Sequence, residues 1–388
     1  MKYRNFGKTG WGISELSIGV LRLEEALEAP DEKKRLERVE AIRFAIDRGV
    51  NYVNLGYPSY FRDRQKACEY VNEALDREYR SKVKVAVNLP VRGLITREDL
   101  DNALDSQMRL FNIEKADFCI IDNVRSDSRD ILKSLDIASW ASSVIDKGKI
   151  GYIGLGFHDD AHYLKDIIDI CPQWEVIHIE LSIPDYLHHP GVGALTFTQE
   201  QNIAVIATDI TKAGRLTASS RKNVREVQSA AREKMSPEER CIRWALSFSG
   251  IASAQMSVQA EFNSVKQIEK YLSYTEGFAP QDVGIWEMLD AARLREAYFA
   301  NRASPCKACY CCMPCPYGID APRIIELIND ESMFPDTGIP EFQYNFENHQ
   351  NKVCTECGSC NKLCLKRYQP QRIVLEAYER YANKRMNK

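Results

Sequence analysis

Short apolar runs alternate with segments of helical periodicity along most of the chain. The apolar runs have the length and composition of buried strands, and they lie at residues 16–20, 51–55, 83–89, 116–121, 151–156, 175–180, 203–208 and 251–257. The helical segments between them lie at residues 33–48, 62–79, 97–111, 127–147, 159–171 and 236–249. Eight strands, each followed by a helix within about 270 residues, predict an α/β fold of the (β/α)8 type, the TIM barrel. A doubly wound sheet is the alternative, but its Gly-x-Gly-x-x-Gly turn after the first strand is missing.

The same pattern divides the chain into three segments. Residues 1–277 hold the predicted barrel, which opens with a short hairpin at residues 1–13. Residues 278–303 are rich in Ala, Leu, Arg and Glu and predict a connecting helix. Residues 304–388 are predicted to form a small C-terminal domain. The insert between its two cysteine runs is predicted to contain one helix, 323–329, followed by a loop.

Cysteines are concentrated in that C-terminal domain, where nine of the chain's 13 fall into two short runs. Each run contains Cys-x2-Cys-x2-Cys, a spacing that presents three thiolates to one corner of an iron–sulfur cubane, and paired runs usually exchange their fourth cysteines. The pattern predicts two [4Fe–4S] clusters. One takes Cys306, Cys309, Cys312 and Cys364, and the other takes Cys354, Cys357, Cys360 and Cys315. Cys311 is left as a spare thiol.

Zinc is the alternative occupant of these cysteines. Two Cys-x2-Cys pairs can hold Zn²⁺ tetrahedrally, but zinc needs only four sulfurs and would leave the additional cysteines of both runs without a role. Disulfides are disfavoured because the N-terminal residues show no apolar segment of a secretory signal. This N-terminus predicts a cytoplasmic location.

Charge and hydropathy exclude two classes of partner. The formal net charge of −3 argues against steering towards nucleic acid or an anionic membrane. No apolar stretch approaches the roughly 18 residues that a membrane-spanning helix requires. The hydrophobic content of 44% and charged content of 28% are ordinary for a soluble globular protein.

Several stretches of the barrel resemble the aldo/keto reductases. Residues 1–10, Met-Lys-Tyr-Arg-Asn-Phe-Gly-Lys-Thr-Gly, are similar to the opening hairpin of that family, and residues 49–54, Gly-Val-Asn-Tyr-Val-Asn, to its second strand. Residues 149–159, Lys-Ile-Gly-Tyr-Ile-Gly-Leu-Gly-Phe-His-Asp, resemble the fifth strand in the iron–sulfur branch of the family. The cysteine region resembles the two-cluster bacterial ferredoxins, including Cys315-Pro316, although Leu365 stands where the second run normally carries proline.

The resemblance implies a catalytic tetrad of tyrosine, lysine, aspartate and histidine at the strand ends. The tyrosine position falls on Tyr60, with Tyr57 in reserve. The aspartate, lysine and histidine positions hold Asn54, Asn88 and Asp122, so three of the four residues differ in type. Without a lysine and an aspartate beside it, a tyrosine keeps a pKa near 10 and exchanges protons poorly at neutral pH. His158 follows the fifth strand and joins the candidate catalytic residues.

The resemblance also implies NADP(H) as a candidate cofactor. Asn263 and Ser264 begin the predicted helix after the eighth strand and could offer backbone N–H groups to a phosphate. Glu261 would oppose an anion there, and Lys212 and Arg215 are candidate anion contacts. The ring-contacting Ser or Asn that the resemblance implies after the fifth strand is Gly156 here.

Three functions follow from these features. The first is an iron–sulfur oxidoreductase that exchanges electrons between its clusters and a small organic substrate at the barrel mouth, supplied by a low-potential carrier such as ferredoxin or flavodoxin. The second is a non-catalytic electron-transfer or redox-sensing subunit built on a degenerate barrel. The third is NADPH-dependent carbonyl reduction through Tyr60. The intact cysteine pattern and the altered tetrad favour the first.

Overall fold

The computed structural model describes residues 1–21, 30–58, 61, 63–91, 93–217, 221–258, 260–334 and 338–382. The chain forms two compact units. The first comprises the described residues of 1–217 and 232–291, and the second those of 218–231 and 292–388. No helix in these ranges is both long enough and apolar enough to cross a membrane.

The first unit is a closed barrel of eight parallel strands preceded by an antiparallel hairpin. The hairpin strands are β1 (Tyr3–Asn5) and β2 (Gly12–Ser14). The barrel strands are β3 (Leu16–Gly19), β4 (Tyr52–Asn54), β5 (Lys84–Pro90), β6 (Ala116–Val124), β7 (Ile150–Phe157), β8 (Trp174–Glu180), β9 (Ala204–Thr208) and β10 (Ile251–Ser257). Each pairs with its neighbour in chain order, and β10 closes the ring on β3. The predicted (β/α)8 barrel is confirmed.

Helices follow the strands of the barrel. They are α1 (Glu32–Asp47), α2 (Arg64–Ala74), α3 (Arg77–Lys82), α4 (Arg97–Leu110), α5 (Arg129–Ser134), α6 (Ile137–Asp146), α7 (Ala161–Ile168), α8 (Ala194–Glu200), α9 (Lys222–Ala230), α10 (Pro237–Leu246), α11 (Val265–Ser273) and α12 (Ile285–Phe299). The segments predicted as single helices at 62–79 and 127–147 are each divided in two. Asp76 caps the start of α3, and Asp136 interrupts the second segment with a left-handed backbone (φ +46°).

The hairpin closes the amino-terminal end of the barrel. Phe6 is fully buried and packs edge-on against Phe118 (ring centroids 5.3 Å apart) and also against Tyr52. Gly7 comes so close to the barrel that a Cβ there would lie 2.9 Å from the backbone nitrogen of Ala204. Because the amino end is filled, the carboxyl end of the strands is where a barrel of this kind places its functional side chains.

The second unit packs its cysteine loops against a helical core. Besides α9 and the second half of α12, its helices are α13 (Ala321–Met333), α14 (Ile339–Phe346), α15 (Ser359–Leu363) and α16 (Pro370–Ala377). Ile324, Ile328 and Val374 belong to the buried core, and Cys306, Cys315 and Cys354 pack on its edge. The expectation of one helix, 323–329, and then a loop is wrong in two respects. The helix begins earlier because Asp320 caps its start, and it continues to Met333; the segment expected to be a loop contains α14.

Candidate active site and metal centre

Polar side chains from adjacent strands meet at the carboxyl end of the barrel. Asn54 ends β4, Asn88 and Asp122 lie two residues from the ends of β5 and β6, His158 follows β7 directly, and Glu180 ends β8. The structure therefore brings four of the five candidate catalytic residues to one end of the barrel. The fifth, Tyr60, lies outside the described residues. Tyr57, the reserve candidate, is half-buried.

His158 lies between two carboxylates. Its Nε2 is 3.3 Å from Asp122 Oδ1, and its Nδ1 is 3.3 Å from Glu180 Oε1. Burial by itself would lower the pKa of His158, but the hydrogen bonds and charges of the two carboxylates raise it to about 10. His158 is therefore an imidazolium at neutral pH, with both ring nitrogens protonated. A group in this state can donate a proton and cannot accept one.

Asp122 is the fixed member of this group. Its Oδ2 accepts from Asn88 Nδ2 (3.2 Å), and its Oδ1 accepts from the backbone N–H of Asn123 (2.8 Å). Burial opposes the charge on Asp122, but the hydrogen bond and charge of His158, together with the Asn123 N–H, lower its pKa. Glu180 has the more exposed carboxylate, with 39% of its side chain accessible against 24% for Asp122. The His158–Glu180 contact is therefore the one that a substrate can reach.

Gly156 is the residue that makes room for Asp122. A Cβ at position 156 would lie 1.9 Å from Asp122 Oδ1, which is well inside van der Waals contact. The Asp122 carboxylate thus fills the space that the side chain of a serine or asparagine at position 156 would need. The two differences from the family pattern are therefore linked, because Asp122 fits only when position 156 has no side chain.

We expect Gly156→Ser to destabilise the barrel by about 1–3 kcal/mol, because the new side chain must displace the buried Asp122 carboxylate. Gly284→Ser is the matched control, since a Cβ at Gly284 meets no atom within 4 Å. Urea unfolding followed by tryptophan fluorescence measures both. Equal stability of the two variants would show that Asp122 does not need this space.

His178 forms a second polar group inside the barrel. Its Nδ1 is 3.3 Å from Asn54 Nδ2, and its Nε2 is 3.0 Å from the Tyr52 hydroxyl. Asn54 Oδ1 already accepts from the Gly56 N–H, so its amide nitrogen faces His178 and must donate. The His178 proton consequently lies on Nε2. Burial lowers the pKa of His178 to about 4, so this ring is neutral while His158 is charged.

Lys212 is held by carboxylates and is not a free anion contact. Its Nζ lies 2.7 Å from Asp185 Oδ2, 3.5 Å from Asp209 Oδ2 and 3.7 Å from Glu180 Oε2. Arg215, the other candidate anion contact, is buried, and its Nε donates to the carbonyl of Lys212. Through Glu180, the Lys212 ammonium is electrostatically joined to the His158 group.

The expected phosphate site after β10 is organised around Glu261. This buried carboxylate accepts from the Ser257 N–H (2.8 Å) and from the Thr211 hydroxyl. Ser264 caps α11 by accepting from the Gln267 N–H, and the Asn263 amide donates to the Ala260 carbonyl. Asn263 and Ser264 remain the predicted cofactor-binding residues, although a buried negative charge lies three residues before this helix start.

The His158 group gives the barrel a defined dependence on pH. The pKa of His158 is raised above its ordinary value of 6.5 to about 10, so the stability from this pairing is fully present below pH 6.5 and is lost as the pH rises through about 10. Asp122 has a lowered pKa, so its contribution is lost only as the pH falls below 3.8. NMR of histidine-labelled protein should show one ring titrating near pH 10 and moving towards 6.5 in Asp122→Asn. An ordinary pKa for every ring would contradict the pairing.

The first predicted ligand set comes together in the second unit. The thiols of Cys309 and Cys364 act electrostatically on Cys306, and those of Cys306, Cys360 and Cys364 act on Cys312. Burial and these neighbouring thiols raise the pKa of Cys312. Cys364 is distant in sequence from the other three cysteines of this set, so its proximity supports its assignment as the fourth ligand.

The second predicted set lines a single cavity. Cys315, Cys354, Cys357 and Cys360 all line one small cavity. Cys315, the cysteine expected from the other run, lies close enough to Cys360 for its thiol, with that of Cys354, to contribute to raising the Cys360 pKa, although burial contributes more. The cavity thus brings together three cysteines of the second run and one cysteine of the first, which is the predicted ligand set.

The backbone around the cysteines also fits an iron–sulfur cluster. Left-handed residues stand between successive ligands, at Ala308 and Tyr310 in the first run and at Glu356 and Gly358 in the second. Two backbone N–H groups in these segments donate to a ligand sulfur. The Ala308 N–H donates to Cys306 Sγ and the Tyr368 N–H to Cys364 Sγ, both at 3.4 Å. Hydrogen bonds to ligand sulfurs are one of the means by which proteins set cluster potentials.

The family models account for nearly the whole chain. The model of the aldo/keto reductase family matches residues 15–290. The chain belongs to the aldo/keto reductase family. A second model, dihydropyrimidine dehydrogenase domain II, 4Fe-4S cluster, matches residues 288–388. The two matches describe an aldo/keto reductase barrel joined to a 4Fe-4S domain, which is the composition of an iron–sulfur oxidoreductase. A search of curated proteins found no match.

Solved aldo-keto reductases share the barrel fold. The thermostable aldo-keto reductase Tm1743, solved with the inhibitor epalrestat, is 19% identical, with a TM-score of 0.58, and the match covers 76% of this chain and 100% of that one. The holo form of an aldo-keto reductase from Bacillus halodurans is 15% identical, with a TM-score of 0.59 over 76% and 96% of the two chains. An aldo-keto reductase from Klebsiella pneumoniae in complex with NADPH is 15% identical, with a TM-score of 0.56 over 76% and 95%.

Sequence reasoning missed two parts of this aldo/keto reductase site. Tyr52 was not recognised as the partner of His178, although it shares the inward face of β4 with Asn54 by the two-residue period of a strand. Asp185 was not recognised as the closest partner of Lys212. No sequence signal marks Asp185, because the loop that brings it to Lys212 has no regular period.

Proposed function

We propose that this aldo/keto reductase is an oxidoreductase in which two [4Fe–4S] clusters exchange electrons with a small organic substrate at the barrel mouth. The observation that carries the proposal is the Asp122–His158–Glu180 group at the strand ends, in which two carboxylates keep His158 protonated. A hydride-transferring aldo/keto reductase would instead need a tyrosine activated by a lysine at this end of the barrel. When bound, the clusters supply or accept single electrons.

The roles of the chain's own residues follow from their contacts. Asp122 keeps His158 charged and fixes its orientation, and Asn88 and the Asn123 N–H hold Asp122 in turn. His158 donates its Nδ1 proton to the substrate when the substrate displaces the exposed Glu180 carboxylate, because losing one of the two carboxylates that raise its pKa makes the ring a stronger acid. Glu180 then serves as the path by which a proton returns to the ring from solvent. Cys306, Cys309, Cys312 and Cys364, and separately Cys315, Cys354, Cys357 and Cys360, would hold the clusters.

Two observations speak against NADPH as the direct reductant. The Asp122 carboxylate fills the place of a side chain at Gly156, and the cationic Lys212 near this end of the barrel is paired with carboxylates. A nicotinamide dinucleotide phosphate carries several negative charges, which free cations and helix starts ordinarily bind. We therefore assign electron supply to a low-potential carrier protein, such as ferredoxin or flavodoxin.

The proposal is tested with anaerobically purified protein reduced by dithionite and freed of excess reductant. It is mixed with aldehydes, ketones and activated alkenes, one compound at a time, and the visible absorption of the clusters is followed. We expect one class to re-oxidise the protein stoichiometrically and to yield a reduced product by mass spectrometry. Failure of every class, with a stoichiometric protein partner recovered instead, would replace this proposal by the non-catalytic electron-transfer role.

A further inference from the structure

The loops that carry the candidate cluster ligands are strongly basic, whereas the chain as a whole is acidic. Residues 306–317 and 352–367 contain five basic residues and one acid, against a net charge of −3 for the chain. All six side chains are exposed; they are Lys307, Lys352, Lys362, Lys366, Arg367 and the acid Glu356. Such a local excess of one sign steers a partner of the opposite sign.

Most of these cations are available to a partner. Among the residues that the structure describes, Lys307, Lys362, Lys366 and Arg367 form no ion pair with a carboxylate. Lys352 differs from these four because its Nζ donates a hydrogen bond to the Gly318 carbonyl (2.7 Å). This neutral acceptor does not compensate its positive charge. Elsewhere in this unit, Arg323 pairs with Glu347, and Arg380 with Glu331. The unpaired cations are thus concentrated around the cysteines.

Large apolar side chains stand exposed among the cations. Leu365 is 78% exposed, Val353 56%, Tyr317 52% and Leu363 47%. We call these four residues, together with the five basic ones, the cluster face. Cys309 and Cys357 are exposed within the same loops, so candidate cluster ligands reach this surface. An apolar patch with a charged rim is the usual make-up of a transient protein docking site.

We propose that the cluster face is the docking site for an acidic electron-carrier protein. This inference rests on the proposed function, since the carrier is its electron source. A [4Fe–4S] cluster held by these cysteines would accept one electron from the reduced carrier, with no bond made or broken and no proton moved. The carrier brings acidic side chains to the rim and an apolar patch to Leu363 and Leu365. A nucleic acid would use the cations but would leave these aliphatic side chains in water.

The test is a binding measurement that needs no turnover. Isothermal titration calorimetry of the iron-loaded protein with an oxidised, acidic two-cluster ferredoxin gives the Kd at low and high salt. For the double variant Lys362→Glu/Lys366→Glu we expect the Kd at low salt to rise about tenfold. The double variant Lys33→Glu/Lys133→Glu makes the same change in net charge on exposed helices of the barrel, and we expect its Kd to be unaltered. Iron content is measured for every sample.

Each outcome decides the inference. A selective loss of affinity in the first variant, with binding of the unmodified protein weakened by salt, supports the cluster face. Equal affinity in both variants, or no binding at all, overturns it, as does tighter binding of RNA or anionic vesicles than of ferredoxin. The proposed function fails separately, if the dithionite-reduced protein reduces no substrate even though the ferredoxin binds. Substrate reduction with dithionite in a protein that binds no carrier would reject only this inference.

Discussion

Cys364→Ala is expected to lower the iron content of anaerobically purified protein from about eight atoms per chain to about four. Cys364 is the one predicted ligand of the first cluster that lies outside its run, and its thiol lies near Cys306 and Cys312. Without Cys364, only three thiolates would hold this cluster, and we expect it to be lost during purification. Alanine is preferred to serine because a serine oxygen can itself bind iron. Iron and sulfide analysis, with EPR of the reduced protein, measures the loss.

Two further variants make the assignment of ligands specific. Cys311→Ala is the control, since Cys311 is exposed in the run that holds the other three ligands of this cluster and is predicted to bind no iron; this variant should retain about eight irons. Cys315→Ala should remove the other cluster, whose EPR signal differs from the one lost in Cys364→Ala. Loss of the same signal in both variants would show that the fourth ligands are not exchanged between runs. Zinc in place of iron would contradict the cluster assignment itself.

His158→Gln is expected to slow re-oxidation of the reduced protein by its substrate about 10²–10⁴-fold, the usual contribution of a positioned acid. Glutamine can keep one hydrogen bond to Asp122 but carries no transferable proton at neutral pH. The rate is measured by stopped-flow absorption after reduction with dithionite. The iron content should stay unchanged, because His158 lies in the barrel unit and the candidate cluster ligands do not.

His162→Gln is the control for that experiment. His162 is exposed on α7, where it pairs with the surface carboxylate of Asp160. The His162→Gln variant lacks a histidine but keeps the Asp122–His158–Glu180 group intact. We expect its re-oxidation rate to match that of the unmodified protein. A rate in His158→Gln equal to that of His162→Gln would mean that the substrate takes its proton from another group.

The strands and most helices of the barrel could be predicted because their signals are local. Each barrel strand is a buried apolar run, and α1, α4 and α10 begin at side-chain caps that the sequence displays: Asp31, Thr96 and Ser236. The helices α8 and α9 were not predicted. Neither has a side-chain cap, and α9 buries only Val224 among its residues, so it contains few apolar positions by which to recognise it.

The chemistry of the candidate site depends on contacts that no local pattern encodes. The sequence shows Gly156 and Asp122 as two separate departures from the family, whereas the structure shows one carboxylate filling the space above the glycine. The charge of His158 follows from two carboxylates on different strands. Lys212, expected as an anion contact from its position alone, is bound by Asp185 and Asp209. Apart from the Lys212–Asp209 pair, these contacts join residues that are distant in sequence and meet only in the folded barrel.

The cysteine loops differ from the barrel site, because the spacing of their cysteines by itself predicts cluster binding. The order of the cysteines predicts the type of ligand, the number of ligands and the exchange of fourth cysteines between the runs. What the sequence does not display is the surface around them. The exposure of Leu363 and Leu365 beside unpaired cations is evident only after the helical core has taken Ile324, Ile328 and Val374 inside.

The central claim is that electrons reach the barrel mouth through iron–sulfur clusters and not as hydride from NADPH. The most direct measurement is an anaerobic titration of the iron-loaded protein, first with NADPH and then with dithionite or reduced ferredoxin, followed by visible absorption and EPR. We predict about eight irons per chain, no bleaching by NADPH, and full bleaching by the low-potential donors. Bleaching by NADPH would contradict the claim and would restore hydride chemistry to this barrel.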